Sequence, residues 1–174
     1  MLKDATRRAR RVRLALFDVD GVLTDGRLYF GPTGEAMKVF NTLDGHGIRM
    51  LQSGGVATGI LSGRKSPSVA VRAQELGMAH VILGSEDKLA DYERLRKKLA
   101  LEDAQCAFVG DDLPDLPVML ACGFAVAVAN AVPDVKAAAH YVTAASGGAG
   151  AAREFCELVL RAQGKFAKAA AGGT

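Results

Sequence analysis

Residues 14–26 read LALFDVDGVLTDG: four apolar residues run into two aspartates one residue apart, then into a glycine-punctuated turn. A short apolar run bounded by turn signals is the pattern of a buried strand. Carboxylates at the end of such a strand need something cationic to meet them there. Four more apolar, β-branched runs follow, at 56–61, 80–83, 106–109 and 124–128, while 12–17 holds the first. Between them, 66–77, 86–100 and 113–121 carry apolar residues at helical spacing with charges on the other face. This alternation predicts an α/β fold, a Rossmann-like parallel sheet with helices on both faces. The exception is 27–43, where Gly31, Pro32 and Gly34 separate two extended pieces; it predicts a β-hairpin projecting after the first strand.

The chain has 174 residues, 49% hydrophobic and 24% charged, which suits one globular domain. Its net charge of +3 is unevenly placed: residues 1–13 hold six basic residues against Asp4, leaving −2 over the rest. The expected organisation is a basic N-terminal extension over 1–11, one domain over 12–165 with the hairpin at about 27–42, and a flexible tail over 166–174. No aromatic residues interleave with the N-terminal arginines, so nucleic-acid binding has no support. No apolar run reaches membrane-spanning length, and no apolar stretch backs the N-terminal charges, so the expectation is a cytoplasmic protein without a membrane partner. Cys106, Cys122 and Cys156 show no paired spacing and read as reduced, packed thiols.

Ligands of open parallel sheets gather at the carboxyl ends of the strands. The first strand ends in Asp18 and Asp20, the second in Ser62-Gly63-Arg64, and the fourth in Gly110-Asp111-Asp112 with Asp115 close behind; Lys88 opens the helix after GSED. Two groups of acids around one point require a cation, and hard carboxylate oxygens suit Mg²⁺. No His or Cys stands near these motifs at ligand spacing, which argues against zinc, and no GxxxxGK[ST] is present. Lys88, a hydroxyl and the N–H groups around Ser62 and Gly63 would hold phosphate oxygens. A carboxylate can then attack phosphorus, with a second acid two residues on serving the leaving alcohol and the attacking water.

DVDGVLTDG, ILSGR, Lys88 and GDDLPDLPVM resemble, in order, the four motifs of haloacid dehalogenase-type phosphatases. The resemblance implies Asp18 as nucleophile and Asp20 as general acid/base. It puts Ser62 and Lys88 on the phosphate, and Mg²⁺ on Asp18, the Asp20 carbonyl and Asp111, with Asp112 and Asp115 orienting those ligands. Cap domains of this family are inserted between the motifs, and neither interval here has room for one, so a capless member is implied. FNTLDGHGIRML, LSGRKSPSVAVRAQELG and GGAGAAREFCELVLRAQGK resemble one branch, the 3-deoxy-D-manno-octulosonate (KDO) 8-phosphate phosphatases of lipopolysaccharide synthesis. That likeness implies a sugar-acid phosphate substrate met by Asn41, Thr42, Leu43, Asp44, Gly45, Arg49, Arg64 and Arg72. It also implies a homotetramer whose C-terminal tail closes a neighbour's site, the glycines of 146–150 letting the tail bend. The motifs alone leave open a phosphatase for a nine-carbon keto-sugar acid 9-phosphate or one of broad sugar-phosphate range. More distant alternatives are a phosphoacceptor domain and a non-catalytic scaffold.

Overall fold

The computed structural model of the chain describes residues 2–172. Its strands are β1 (Leu14–Phe17), β2 (Tyr29–Gly31), β3 (Gly34–Met37), β4 (Ala57–Ser62), β5 (His80–Leu83), β6 (Cys106–Gly110), β7 (Phe124–Ala127) and β8 (Tyr141–Val142). Its helices are α1 (Leu2–Ala9), α2 (Thr42–Ser53), α3 (Pro67–Glu75), α4 (Lys88–Lys98), α5 (Leu116–Ala121), α6 (Pro133–Ala138), α7 (Ala151–Ala162) and α8 (Phe166–Gly172). Six strands form one parallel sheet in the order β5-β4-β1-β6-β7-β8, and β2 and β3 form a separate antiparallel pair. The five strands legible in the sequence are all present. β8 was not anticipated, because two residues carry no periodicity.

β1 is buried along its whole length and pairs with β4 on one side and β6 on the other. Phe17 is level with Ile60 and with Val109, so the chain leaves all three strands at the same end. After β1 the chain builds outward through β4 and β5, then returns to the opposite side at β6. The reversal between β1 and β6 is the position where such sheets open a crevice at their carboxyl ends. Helix starts are locally encoded: Asn41, Ser66 and Asp87 each accept a bond from the first turn of α2, α3 and α4.

α7 packs against α1, α2 and α8 on one face of the sheet, while α5 packs with α4 and α6 on the other. Ala151, Ala152, Phe155, Cys156, Val159 and Leu160 of α7 are buried, and the Phe155 ring meets that of Phe17 edge-on at 5.6 Å. The three cysteines are free and buried, as read.

Both ends of the chain differ from expectation. α1 is docked, with Ala5 and Ala9 buried and Arg8 Nη1 donating to the Gly123 carbonyl (2.7 Å). Residues 166–172 form a helix rather than a frayed tail: Phe166 lies under the Arg161 guanidinium at 3.5 Å, and Ala169 is buried. Residues 173–174 lie outside the described residues. The glycine-rich 147–150 segment does not swing over a pocket either. It is a strap laid against residues 21–25 of its own chain, with Gly148 N donating to Val22 O (3.0 Å). Within the single chain, α8 packs on α2 and α7.

Candidate active site

Asp18 follows β1 directly, its N–H donating to the Val109 carbonyl of β6 (3.0 Å). The side chain is buried, and Lys88 Nζ donates to its Oδ1 (2.8 Å). Lys88 is the first residue of α4 and also donates to Asp115 Oδ1 (2.7 Å). Asp115 Oδ2 in turn accepts from the N–H groups of Asp111 (2.9 Å) and Asp112 (3.3 Å), which fixes the turn after β6. Asp18, Asp20, Ser62, Gly63, Arg64, Lys88 and Asp111 are among the walls of one open cavity of about 310 Å³. A larger cavity, about 540 Å³, sits where the strands begin, beside Arg13, Gly55 and Gln105, and holds no acid pair. Size does not locate the chemistry here; convergent groups do.

Carboxylate oxygens of Asp18, Asp111 and Asp115 lie within 4.8 Å of one another. Asp111 Oδ1 is buried without a hydrogen-bond partner. Three acids share one ammonium, and that imbalance raises the cost of ionising them. Burial first, then the charge of Asp115, pushes Asp18 up to about 7 against the pull of Lys88. Burial, then Asp18 and Asp115, push Asp111 up to about 8. An orphaned buried carboxylate oxygen among hard oxygen donors fits a divalent cation of the Mg²⁺ type.

A measurable consequence follows from the sign of these shifts. Acids whose folded pKa is raised bind more protons in the folded state, so metal-free stability falls as pH climbs from about 4 toward 8. A cation that needs both carboxylates ionised removes that penalty. Mg²⁺ should therefore raise the melting temperature more at pH 8 than at pH 5.5; calorimetry showing the reverse order would contradict the cation site.

Asp20 is gripped from two sides. Lys38, just past β3, meets its Oδ1, and Arg64 Nε lies 3.6 Å from its Oδ2. Ser62 ends β4, buried, its Oγ accepting from Arg64 N (3.4 Å). The structure thus brings together Asp18, Asp20, Ser62, Gly63, Arg64, Lys88, Asp111 and Asp115. Asp112 joins them at the cavity wall, but its exposed carboxylate caps its own turn, accepting from Leu113 N (2.8 Å). The structure separates the others. Asp44 is corrected more sharply: it is buried, and its two oxygens accept from Gly150 N (3.3 Å) and Arg153 N (2.9 Å) at the start of α7. It caps a helix of another part of the chain and reaches no substrate cavity. Gly45 faces Arg72 in close packing, and Arg72 bonds Glu75 beneath Phe40. Arg49 donates to the Glu75 carbonyl (2.7 Å), Asn41 to Gly148 O (3.0 Å), and Thr42 and Leu43 are exposed. None of Asn41, Thr42, Leu43, Asp44, Gly45, Arg49 and Arg72 lines the catalytic cavity of its own protomer.

Sequence reading missed Lys38, Glu35 and Asn130. Asn130 donates to Gly21 O (3.0 Å) and accepts from Gly147 N (2.6 Å), tying the strap to the catalytic loop. The signal for Lys38 was a Glu-x-x-Lys pair in an otherwise apolar hairpin.

The chain matches the family described as haloacid dehalogenase-like hydrolase over residues 73–155. It is 45% identical to the 3-deoxy-D-manno-octulosonate 8-phosphate phosphatase of Yersinia pestis over 163 residues, 94% of this chain and 87% of that protein. The chain belongs to the KDO 8-phosphate phosphatase family. Solved members superpose closely. The Y. pestis enzyme does so with a TM-score of 0.92 over 94% of this chain and 89% of its own. The KDO 8-phosphate phosphatase of Moraxella catarrhalis, solved with magnesium, phosphate and KDO, gives 0.95 at 40% identity over 98% of each chain. As the motif spacing required of a KDO 8-phosphate phosphatase-type domain, only the hairpin and α2 separate Asp18 from β4, and no cap is present among the described residues.

Proposed function

We propose that this chain is a Mg²⁺-dependent phosphatase that hydrolyses KDO 8-phosphate to KDO and inorganic phosphate. The observation that carries the reading is the pairing of a buried Asp18, pinned through Oδ1 by Lys88, with the unpartnered Asp111 oxygen beside it. Asp18, Asp111 and the Asp20 carbonyl would hold Mg²⁺, which neutralises charge on the phosphate and on the attacking carboxylate. Asp18 Oδ2 forms a bond to phosphorus as the bond from phosphorus to the sugar oxygen breaks, and Asp20 gives that oxygen its proton. Lys88, Ser62 Oγ and the Gly63 N–H hold the phosphate oxygens through the inversion. Water then attacks the aspartyl phosphate, Asp20 takes its proton, and phosphate leaves with Asp18 restored.

The substrate reading is supported by Arg64 at the cavity wall, a guanidinium suited to a sugar-acid carboxylate. Self-association into a tetramer is supported by the hairpin, which leaves Leu28, Phe30, Met37 and Val39 exposed in the single chain. Arg49, Arg72, Thr42 and Leu43 would then serve a neighbouring site. A place in lipopolysaccharide synthesis and in the cytoplasm rests on the family resemblance; no helix among the described residues is long and apolar enough to cross a membrane.

Phosphate release with Mg²⁺ across a panel of sugar phosphates tests the proposal. KDO 8-phosphate should be preferred at least about tenfold over the nine-carbon acid 9-phosphate and over simple hexose phosphates, since one misfit polar contact is worth that much. Even turnover across the panel would retain the chemistry and remove the substrate.

A further inference from the structure

The hairpin delivers to the catalytic loop a charge that none of the four motifs contains. The Lys38 side chain is only 2% exposed. Its ammonium meets Asp20 Oδ1 and has Glu35 Oε2 at 3.3 Å. Glu35 Oε1 accepts from Ser66 Oγ, and Ser66 caps α3 on the loop that also carries Ser62 and Arg64. The hairpin is thereby buckled to the phosphate-binding loop, with Lys38 as the pin.

Lys38 is not one of the residues bounding the catalytic cavity; it reaches Asp20 from the hairpin side. Arg64, which does bound the cavity, lies by the other oxygen, Oδ2. A carboxylate left free turns about its broad terminal torsion and exchanges its two oxygens. One oxygen held by a buried ammonium leaves the other as the acting atom. We infer that Lys38 is the positioning residue of the general acid/base: it pins Asp20 Oδ1 so that Oδ2 is presented to the leaving-group oxygen. Glu35 and Ser66 set where the ammonium stands. The buried pair also has a cost if broken, because removing one partner strands the other. The inference rests on the phosphatase reading and adds to it a residue that touches neither phosphate nor sugar.

The test compares two leaving groups on one protein sample. A sugar alkoxide needs a proton to depart, whereas nitrophenolate leaves without one, so only the first depends on a well-placed general acid. For Lys38→Met with saturating Mg²⁺, kcat/KM for KDO 8-phosphate should fall about 100-fold, while kcat/KM for p-nitrophenyl phosphate should fall by less than about threefold. Because both rates come from the same sample, any loss of folded enzyme cancels in their ratio. Glu35→Gln keeps Lys38 but loosens its seat, and should move the ratio the same way by a smaller factor; it decides the matter if the lysine variant does not fold. Equal losses for both substrates, or no loss for either, overturn the assignment. Wild-type protein inert toward KDO 8-phosphate would instead overturn the phosphatase reading, before any variant is compared.

Discussion

Asp18→Asn should abolish steady-state turnover, by roughly 10⁴-fold or more, while leaving the protein folded. The amide is nearly isosteric and cannot attack phosphorus. Folding should not suffer, because in the metal-free protein the Asp18 carboxylate is held against its preference: burial and Asp115 push it up to about 7. The asparagine variant should accordingly melt no lower than wild type without metal. A burst experiment with rapid quenching separates the roles. Wild type should release one equivalent of sugar ahead of phosphate when dephosphorylation limits, and the variant should release neither. Turnover retained by the variant would remove Asp18 as nucleophile.

Gly147→Ala should damage catalysis from outside the site. A methyl at this position would lie 1.7 Å from the Gly21 carbonyl oxygen, 2.4 Å from its carbon and 2.9 Å from Val22 N, all of it backbone. No side chain can turn aside to relieve that. Gly21 itself has φ +89° and packs so tightly on Asp111 that a Cβ there would meet Asp111 Oδ2 at 2.0 Å. Pushing the Gly21 peptide therefore displaces the loop between Asp18 and Asp111. We expect a kcat/KM loss of about 100-fold, the usual result of an ångström of misplacement. Stability should drop by about 1–3 kcal/mol, as for overpacking elsewhere. Wild-type kinetics in this variant would mean that the strap does not shape the loop. Deleting residues 147–174, by contrast, would remove the buried face of α7 and report on folding, not on closure of a site.

Most of the central sheet was legible because its strands are short apolar runs, and three of them end in turns that carry chemistry, as in LALF before Asp18 and CAFVG before Asp111. The catalytic groups were legible for the same reason: strand ends are local, and parallel register brings them together. What escaped is what depends on register between distant segments. Lys38 meets Asp20 only because the hairpin folds back across eighteen residues, and Glu35 shares its charge only because Ser66 stands opposite. Asp44 was expected on the substrate only through the family likeness, yet it lies in the first turn of α2 and caps α7, more than a hundred residues later. Glycines at 147–150 signal backbone freedom in sequence; here Gly147 and Gly148 signal close approach to the backbone of residues 21–25, which lies far away in sequence.

The strap has a temporal consequence. The nucleophile is made at residue 18, but the loop around it is braced by residue 147, and β1 has no right-hand neighbour until residues 106–110 exist. At about 5–20 residues per second of synthesis, the interval between nucleophile and brace is on the order of ten seconds. Over the last part of that interval, from about residue 119 to 147, a ribosome-bound chain holds all four motifs and still lacks the brace of its catalytic loop. Phosphatase activity is thus deferred until synthesis has passed residue 147.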